Sequence, residues 1–187
     1  MMSISKLFGG ITKNPTLVIM AAGIITAAIL RGDTEPLTVE GTSATLNDAG
    51  NGQYICTLEI RCDTILSYMD RLEEAKAPYV PASGYILAKT TVNFSEGETV
   101  FDVLQRVCQS ASVQLEYSWS PLYDSYYVEG INHLYEFDCG PESGWMYMIN
   151  DQFPNYGSSD YKIEDGDEIV WCYTCSGLGA DVGAKQE

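Results

Sequence analysis

Few side chains of this chain could do covalent or metal chemistry, and their spacing does not assemble them. There is one histidine, His133, and six cysteines at 56, 62, 108, 139, 172 and 175. An imidazole that titrates near neutrality could act as a base or ligate a metal axially. No serine- or cysteine-based triad can be built around it, and it reads as a polar turn residue between two strands. Cys172 and Cys175 have CxxC spacing, but there is no second such pair to complete a zinc site. The pair closes a strand instead of opening a helix, which excludes a thioredoxin-like motif. Asp160, Glu164, Asp165, Asp167 and Glu168 could hold calcium by density alone, but the spacing fails the EF-hand loop pattern. Gly166 between two aspartates reads as a turn into the last strand. No Walker or dinucleotide-binding glycine signature occurs. The expectation is therefore no catalytic residue, no metal and no enzyme.

Binding is the chemistry the side chains do suggest. Nine of the 13 tyrosines lie between Tyr117 and Tyr173, together with all 3 tryptophans. Tyrosine and tryptophan give flat, rigid area with a polar handle, which suits a ligand surface. Trp145 and Tyr147 alternate with Met146 and Met148, so either face of that strand could be the buried one. Trp171 reads as core. Tyr126 and Tyr127 follow a PLYDS loop and read as a rim. Asn150, Phe153, Asn155 and Tyr156 occupy the loop after the Trp145 strand, and loops carry function more often than strands do. The candidate ligand-binding set is thus Tyr126, Tyr127, Trp145, Tyr147, Asn150, Phe153, Asn155 and Tyr156.

These residues need a scaffold, and the hydrophobic periodicity supplies one. Residues 54–62 and 85–94 alternate and predict strands. Between them, residues 63–76 place Ile65, Leu66, Met69 and Leu72 on one helical face, with Asp63 as a candidate cap. Thr99 and Asp102 form a capping-box pattern ahead of a stripe at Val100, Leu104, Val107 and Cys108. Residues 114–119, 126–131, 134–139, 145–150 and 168–174 predict further strands. One helix against a mixed sheet is an α+β class, and a helix after the first strand pair followed by a meander fits a β-grasp.

Composition bounds the setting. The 187 residues carry a formal net charge of −16, and from Val107 onward only Lys162 and Lys185 are basic. Such a surface repels phosphate, so nucleic acid is excluded as a partner. Residues 17–30, LVIMAAGIITAAIL, are uncharged, with Lys6 and Lys13 before them and Arg31 after. That is the layout of an export signal or a single membrane anchor with its N-terminus inside. The expected organisation is a signal or anchor over 1–31, a flexible tether over 32–52, a folded domain over 53–175 and a flexible tail over 176–187. An extracytoplasmic location follows, and there six cysteines permit up to three disulfides, with buried free thiols as the alternative. Cys56 and Cys62 share a strand face with Leu58 and Ile60 and are expected to be buried.

Four segments carry a family resemblance: FSEGETVFDVLQRVC (94–108), YVEGI (127–131), LYEFDCGPESGWMYMIN (134–150) and KIEDGDEIVWCYT (162–174). In their order the chain resembles a bacterial family of domains of unknown function related to the C-terminal β-domain of transcobalamin. The resemblance implies a soluble-ligand-binding β-grasp, often exported and tethered, with cobalamin or another corrinoid as ligand. In transcobalamin a large helical domain supplies the other half of the cobalamin cage. The competing expectation is a cell-surface domain that grips a protein or a glycan with the same aromatic edge. A cleft around Trp145, Tyr126 and the 151–157 loop would favour the first, and a flat aromatic patch beside an open sheet edge the second.

Overall fold

The computed structural model describes residues 54–184. Seven strands and one α-helix run in the order β1 (Tyr54–Arg61), β2 (Tyr85–Phe94), α1 (Val100–Ser110), β3 (Leu115–Ser120), β4 (Ser125–Ile131), β5 (Leu134–Tyr135), β6 (Gly144–Ile149) and β7 (Glu168–Thr174). Two sheets result. The larger has the order β2-β1-β7-β6 and the smaller β3-β4-β5. Within the larger sheet β1 pairs antiparallel with β2 and parallel with β7, and β7 pairs antiparallel with β6. This is a mixed sheet in an α+β fold.

The sequence pattern explains the main elements. In β1, Cys56, Leu58 and Ile60 alternate inward, and all three are buried. Helix α1 begins at a complete capping box: Thr99 Oγ1 accepts from Asp102 N at 3.2 Å, and Asp102 Oδ2 accepts from Thr99 N at 2.9 Å. Two further N–H groups of its first turn are satisfied by a distant loop. Val100 N donates to Tyr161 O and Phe101 N to Ser158 O. Because a helix start leaves four N–H groups without intrahelical partners, this docking fixes the 158–161 loop against α1. The stripe Val100, Leu104, Val107 and Cys108 is buried, joined by Phe101 and Val103.

Three expectations are revised. The segment after β1 is not one helix but two short 3₁₀ turns, Asp63–Ser67 and Glu74–Tyr79. Glu73 N donates to Asp138 O, and Lys76 pairs with the Asp138 carboxylate at 3.1 Å, so tertiary partners replace the helical ladder. Ile65 and Leu72 are buried, whereas Leu66 and Met69 face solvent. Strand β5 ends at Tyr135 because Asp138 Oδ2 accepts from Tyr135 N and Phe137 turns with φ 70°. The chain after Cys175, expected as a flexible tail, folds back in a 3₁₀ segment over Gly177–Val182. Asp181 holds it by accepting from Thr174 Oγ1 and from Cys175 N.

The disulfide expectation gives way to its alternative, because all six cysteines are free and buried. Cys56 lies in β1 and Cys62 just past its end, ahead of the first 3₁₀ turn, Cys108 sits on α1, and Cys172 lies on the β7 face opposite Trp171 and Tyr173. The Cys139 thiol donates weakly to Tyr68 O at 3.6 Å. Among the described residues no helix is long and apolar enough to cross a membrane. The 17–30 segment lies outside them, as does the 32–52 tether.

Candidate functional site

In β6 and β7 the antiparallel register sets Trp145 opposite Tyr173 and Tyr147 opposite Trp171. Cross-strand partners share a face, and the rings meet in those pairs. Trp145 packs edge-on against Tyr173 at 5.2 Å, and Tyr147 is tilted against Trp171 at 5.6 Å. Strand β4 of the smaller sheet packs against β6. Where they part, a slot of about 130 Å³ remains, lined by Tyr126, Tyr127, Val128, Trp145, Tyr147 and Trp171, with Met146 and the Gly157-Ser158 turn completing it.

Each aromatic is held in place. Tyr126 stacks on Phe101 of α1 at 4.6 Å and meets Trp119 edge-on at 5.1 Å. Tyr127 donates its hydroxyl to Glu136 Oε2 at 2.6 Å. Trp145 Nε1 donates to Leu134 O at 2.8 Å, and Tyr147 donates its hydroxyl to Tyr156 O at 2.7 Å. Burial, then the hydrogen bond to Glu136 and its charge, push the Tyr127 phenol well above its usual range. Burial does the same for Tyr147, with smaller additions from Tyr156 and Asp160. Both hydroxyls therefore stay protonated donors at neutral pH. No side chain lining the slot is ionised.

The remaining predicted residues separate into two groups. Phe153 and Asn155 line a larger hollow of about 460 Å³ beside the slot, with Met146, Asp151 and Pro154 among its walls. Tyr156 is half exposed and stacks on Tyr161 at 5.8 Å, where its carbonyl anchors Tyr147. Asn150 faces neither cavity. Its Nδ2 donates to Asp167 Oδ1 at 2.8 Å and its Oδ1 accepts from Glu168 N at 2.9 Å, so its amide closes a turn. Asn150 and Asp151 both have positive φ, 50° and 62°, the signature of a two-residue hairpin turn. A third hollow of about 210 Å³ shares Trp145 and Tyr127 with the slot and includes Glu136 and Phe137. Met146 lines all three.

Sequence reasoning missed Trp171, Met146 and Gly157. The signal for Trp171 was its register with Tyr147, which becomes readable only once β6 and β7 are paired. Gly157 is needed for close approach. A Cβ there would lie 1.8 Å from Ser125 Oγ and 2.3 Å from Ser125 Cβ. Ser125 in turn shares a 2.6 Å hydrogen bond with Ser159, whose Oγ accepts from Tyr126 N. Gly157→Ala is expected to push the turn off β4 and cost about 1–3 kcal/mol by overpacking. Chemical denaturation should show that loss largely reversed in a Gly157→Ala, Ser125→Gly double variant. An unchanged midpoint in the single variant would mean that this contact is not tight.

His133 and the acidic cluster take structural places. Asn132 and His133 turn β4 into β5 with φ of 54° and 63°, and His133 packs on Tyr79 at 4.6 Å. Asp165 Oδ1 accepts from Ile55 N, and Glu168 pairs with Lys89 at 2.7 Å. Among the described residues no cluster of histidine, cysteine and carboxylate side chains is arranged to hold a metal.

The family model of a domain of unknown function, DUF4430, matches residues 97–175, the stretch from just before α1 to the end of β7. No curated protein matches the chain. Among the solved structures similar to it are the following two. One is a candidate metal-binding protein from Ruminococcus gnavus ATCC 29149, at 9% identity and a TM-score of 0.39, covering 67% of this chain and 100% of that one. The other is haptocorrin in complex with Cbi, at 14% identity and a TM-score of 0.40, covering 66% of this chain and 26% of that one. At these values neither assigns a ligand to this chain.

Proposed function

We propose that the domain over residues 53–175 is an extracytoplasmic small-molecule-binding module, with cobalamin or another corrinoid as its best candidate ligand. It binds and does not catalyse. The observation that carries the reading is the aromatic slot between β4 and β6, which shares Met146 with two further hollows. Rigid rings bury apolar area at low entropic cost, and a few fixed polar atoms then orient the ligand. The strand order β2-β1-β7-β6, with a parallel β1–β7 pair and α1 between the hairpin and the later strands, supports a β-grasp. So does the order of the four segments that resemble the transcobalamin-related family. A corrinoid exceeds any one of the three hollows, so in this reading the domain forms one wall of a cage and a second protein or domain forms the other. The 17–30 segment serves as signal or anchor.

A second reading also has support. Among the described residues strand β6 is an edge of its sheet, and the β3–β4 tip exposes Leu122 at 82% and Tyr123 at 69%. A sheet edge and exposed apolar side chains suit the grip of a surface protein or glycan. Tyr126→Ala and Leu122→Ala separate the two. The small-molecule reading expects Tyr126→Ala to weaken cyanocobalamin binding at least about tenfold, or ~1.4 kcal/mol, and Leu122→Ala to leave it unchanged. Equal affinity in wild type and Tyr126→Ala, measured by equilibrium dialysis, would remove the slot from the site.

A further inference from the structure

The third hollow differs from the slot in charge. Its walls include the carboxylates of Glu136 and Glu142, and no basic side chain among the described residues lines it. One oxygen of each carboxylate is anchored. Glu136 Oε2 accepts from the Tyr127 hydroxyl at 2.6 Å, and Glu142 Oε2 accepts from Gly177 N at 2.7 Å. Tyr127 is itself a wall, and Gly177 immediately precedes another, Leu178, so both carboxylates are fixed at the hollow. The second oxygen of each accepts no hydrogen bond from the described residues, and neither side chain is buried. The apolar walls include Trp145 and two exposed side chains, Phe137 at 61% and Leu178 at 64%. Both stand on left-handed backbone, with φ of 70° and 49°, which bulky side chains rarely adopt. Two tight turns thus hold large apolar groups beside the carboxylates without burying them.

We propose that this hollow binds a small organic cation, with an ammonium head beside the Glu136 and Glu142 carboxylates and an apolar body against Phe137, Trp145 and Leu178. Such a ligand differs in class from a corrinoid, and its binding stands whether or not the slot takes one. Charge selects the head. An anion is repelled by both carboxylates and by a chain of net charge −16. A hard divalent metal ion takes about six to eight oxygen ligands, which walls that are largely apolar do not supply. A neutral apolar ligand leaves both carboxylates without a partner. An ammonium instead donates charge-assisted hydrogen bonds to their second oxygens. Size selects the body. At about 210 Å³ the hollow exceeds the roughly 150 Å³ that admits a benzene ring in an apolar cavity, which leaves room for one ring and a short chain.

Calorimetric titration of the intact protein tests this with probes of one shape and different charge: 2-phenylethylammonium, 2-phenylethanol and 3-phenylpropionate. The ammonium is expected to bind saturably and at least about tenfold tighter than the alcohol, and the carboxylate not to bind. Glu136→Gln and Glu142→Gln each keep an oxygen for Tyr127 or Gly177, so the fold is retained, and each should weaken the ammonium by about threefold. Phe137→Ala, at an exposed position, should weaken it as well. Glu96→Gln removes the same charge from an exposed site outside the hollow and should change nothing. In proton–nitrogen correlation NMR the ammonium should shift the indole N–H signal of Trp145, identified by Trp145→Phe, and leave that of Trp119 in place. Equal affinity for ammonium and alcohol overturns the role of the carboxylates. A loss in Glu96→Gln as large as in Glu142→Gln shows diffuse attraction to an acidic surface and overturns the site. Absence of saturable binding overturns it outright. Cyanocobalamin titrated into a separate sample judges the corrinoid reading, so the two fail independently.

Discussion

The folded domain is expected to lose stability steadily as pH rises from about 9 toward 12. Burial pushes Cys56, Cys62, Cys108 and Cys172 from an ordinary value of 9.0 up to about 12. In this window the unfolded chain has released these protons and the folded chain still holds them. The folded state binds more protons, so the unfolding free energy must fall as pH increases. Stability is thus complete below pH 9 and is lost on the way to 12. Each thiol contributes a slope of at most about 1.4 kcal/mol per pH unit. The phenols of Tyr127, Tyr147 and Tyr173, also raised chiefly by burial, act in the same direction above their ordinary value of 10.0. Urea midpoints at pH 8, 9, 10 and 11 should decline progressively. A flat profile would mean that these groups are solvated in the folded state.

Asp167→Ala should be among the most damaging single substitutions outside the apolar core. Asp167 is buried, yet it makes four hydrogen bonds, to three residues. Its Oδ1 accepts from Asn150 Nδ2, its Oδ2 accepts from Glu164 N at 2.9 Å, its N donates to Glu164 O and its O accepts from Thr57 N. Alanine keeps the two backbone bonds and strands two donors. Asn150 and Glu164 are exposed, so water takes over part of the lost bonding, and the cost is about 1–3 kcal/mol in all. Asn150→Ala should cost less, and the double variant should cost less than the sum of the two, because they share one bond. Additive losses would show that Asn150 and Asp167 stabilise the hairpin independently.

These two networks show what was legible in the sequence. Periodicity marks β1, β2, β6 and β7 to within a residue or so, because a half-buried strand must alternate. The Thr99–Asp102 box marks the start of α1, because capping is local chemistry. The 63–79 stretch was misread because long-range partners at Asp138 override a helical pattern that looks sound locally. The site divides in the same way. Tyr126, Tyr127, Trp145 and Tyr147 meet at one slot, as their aromatic character suggested. Asn150 looked free in a loop, but its amide is committed to Asp167 and Glu168 across the sheet. Trp171 looked like core and is core, and only the pairing of β6 with β7 brings its ring beside Tyr147 at the slot.

The central claim is that this aromatic slot and its flanking hollows receive a small molecule. Calorimetric titration of the protein with cyanocobalamin and hydroxocobalamin, with the visible spectrum recorded alongside, tests it most directly. The account predicts saturable binding at micromolar or tighter affinity, weakened at least about tenfold by Tyr126→Ala. Absence of heat and of any spectral change up to millimolar ligand would contradict corrinoid binding by this domain and leave the surface-interaction reading in its place.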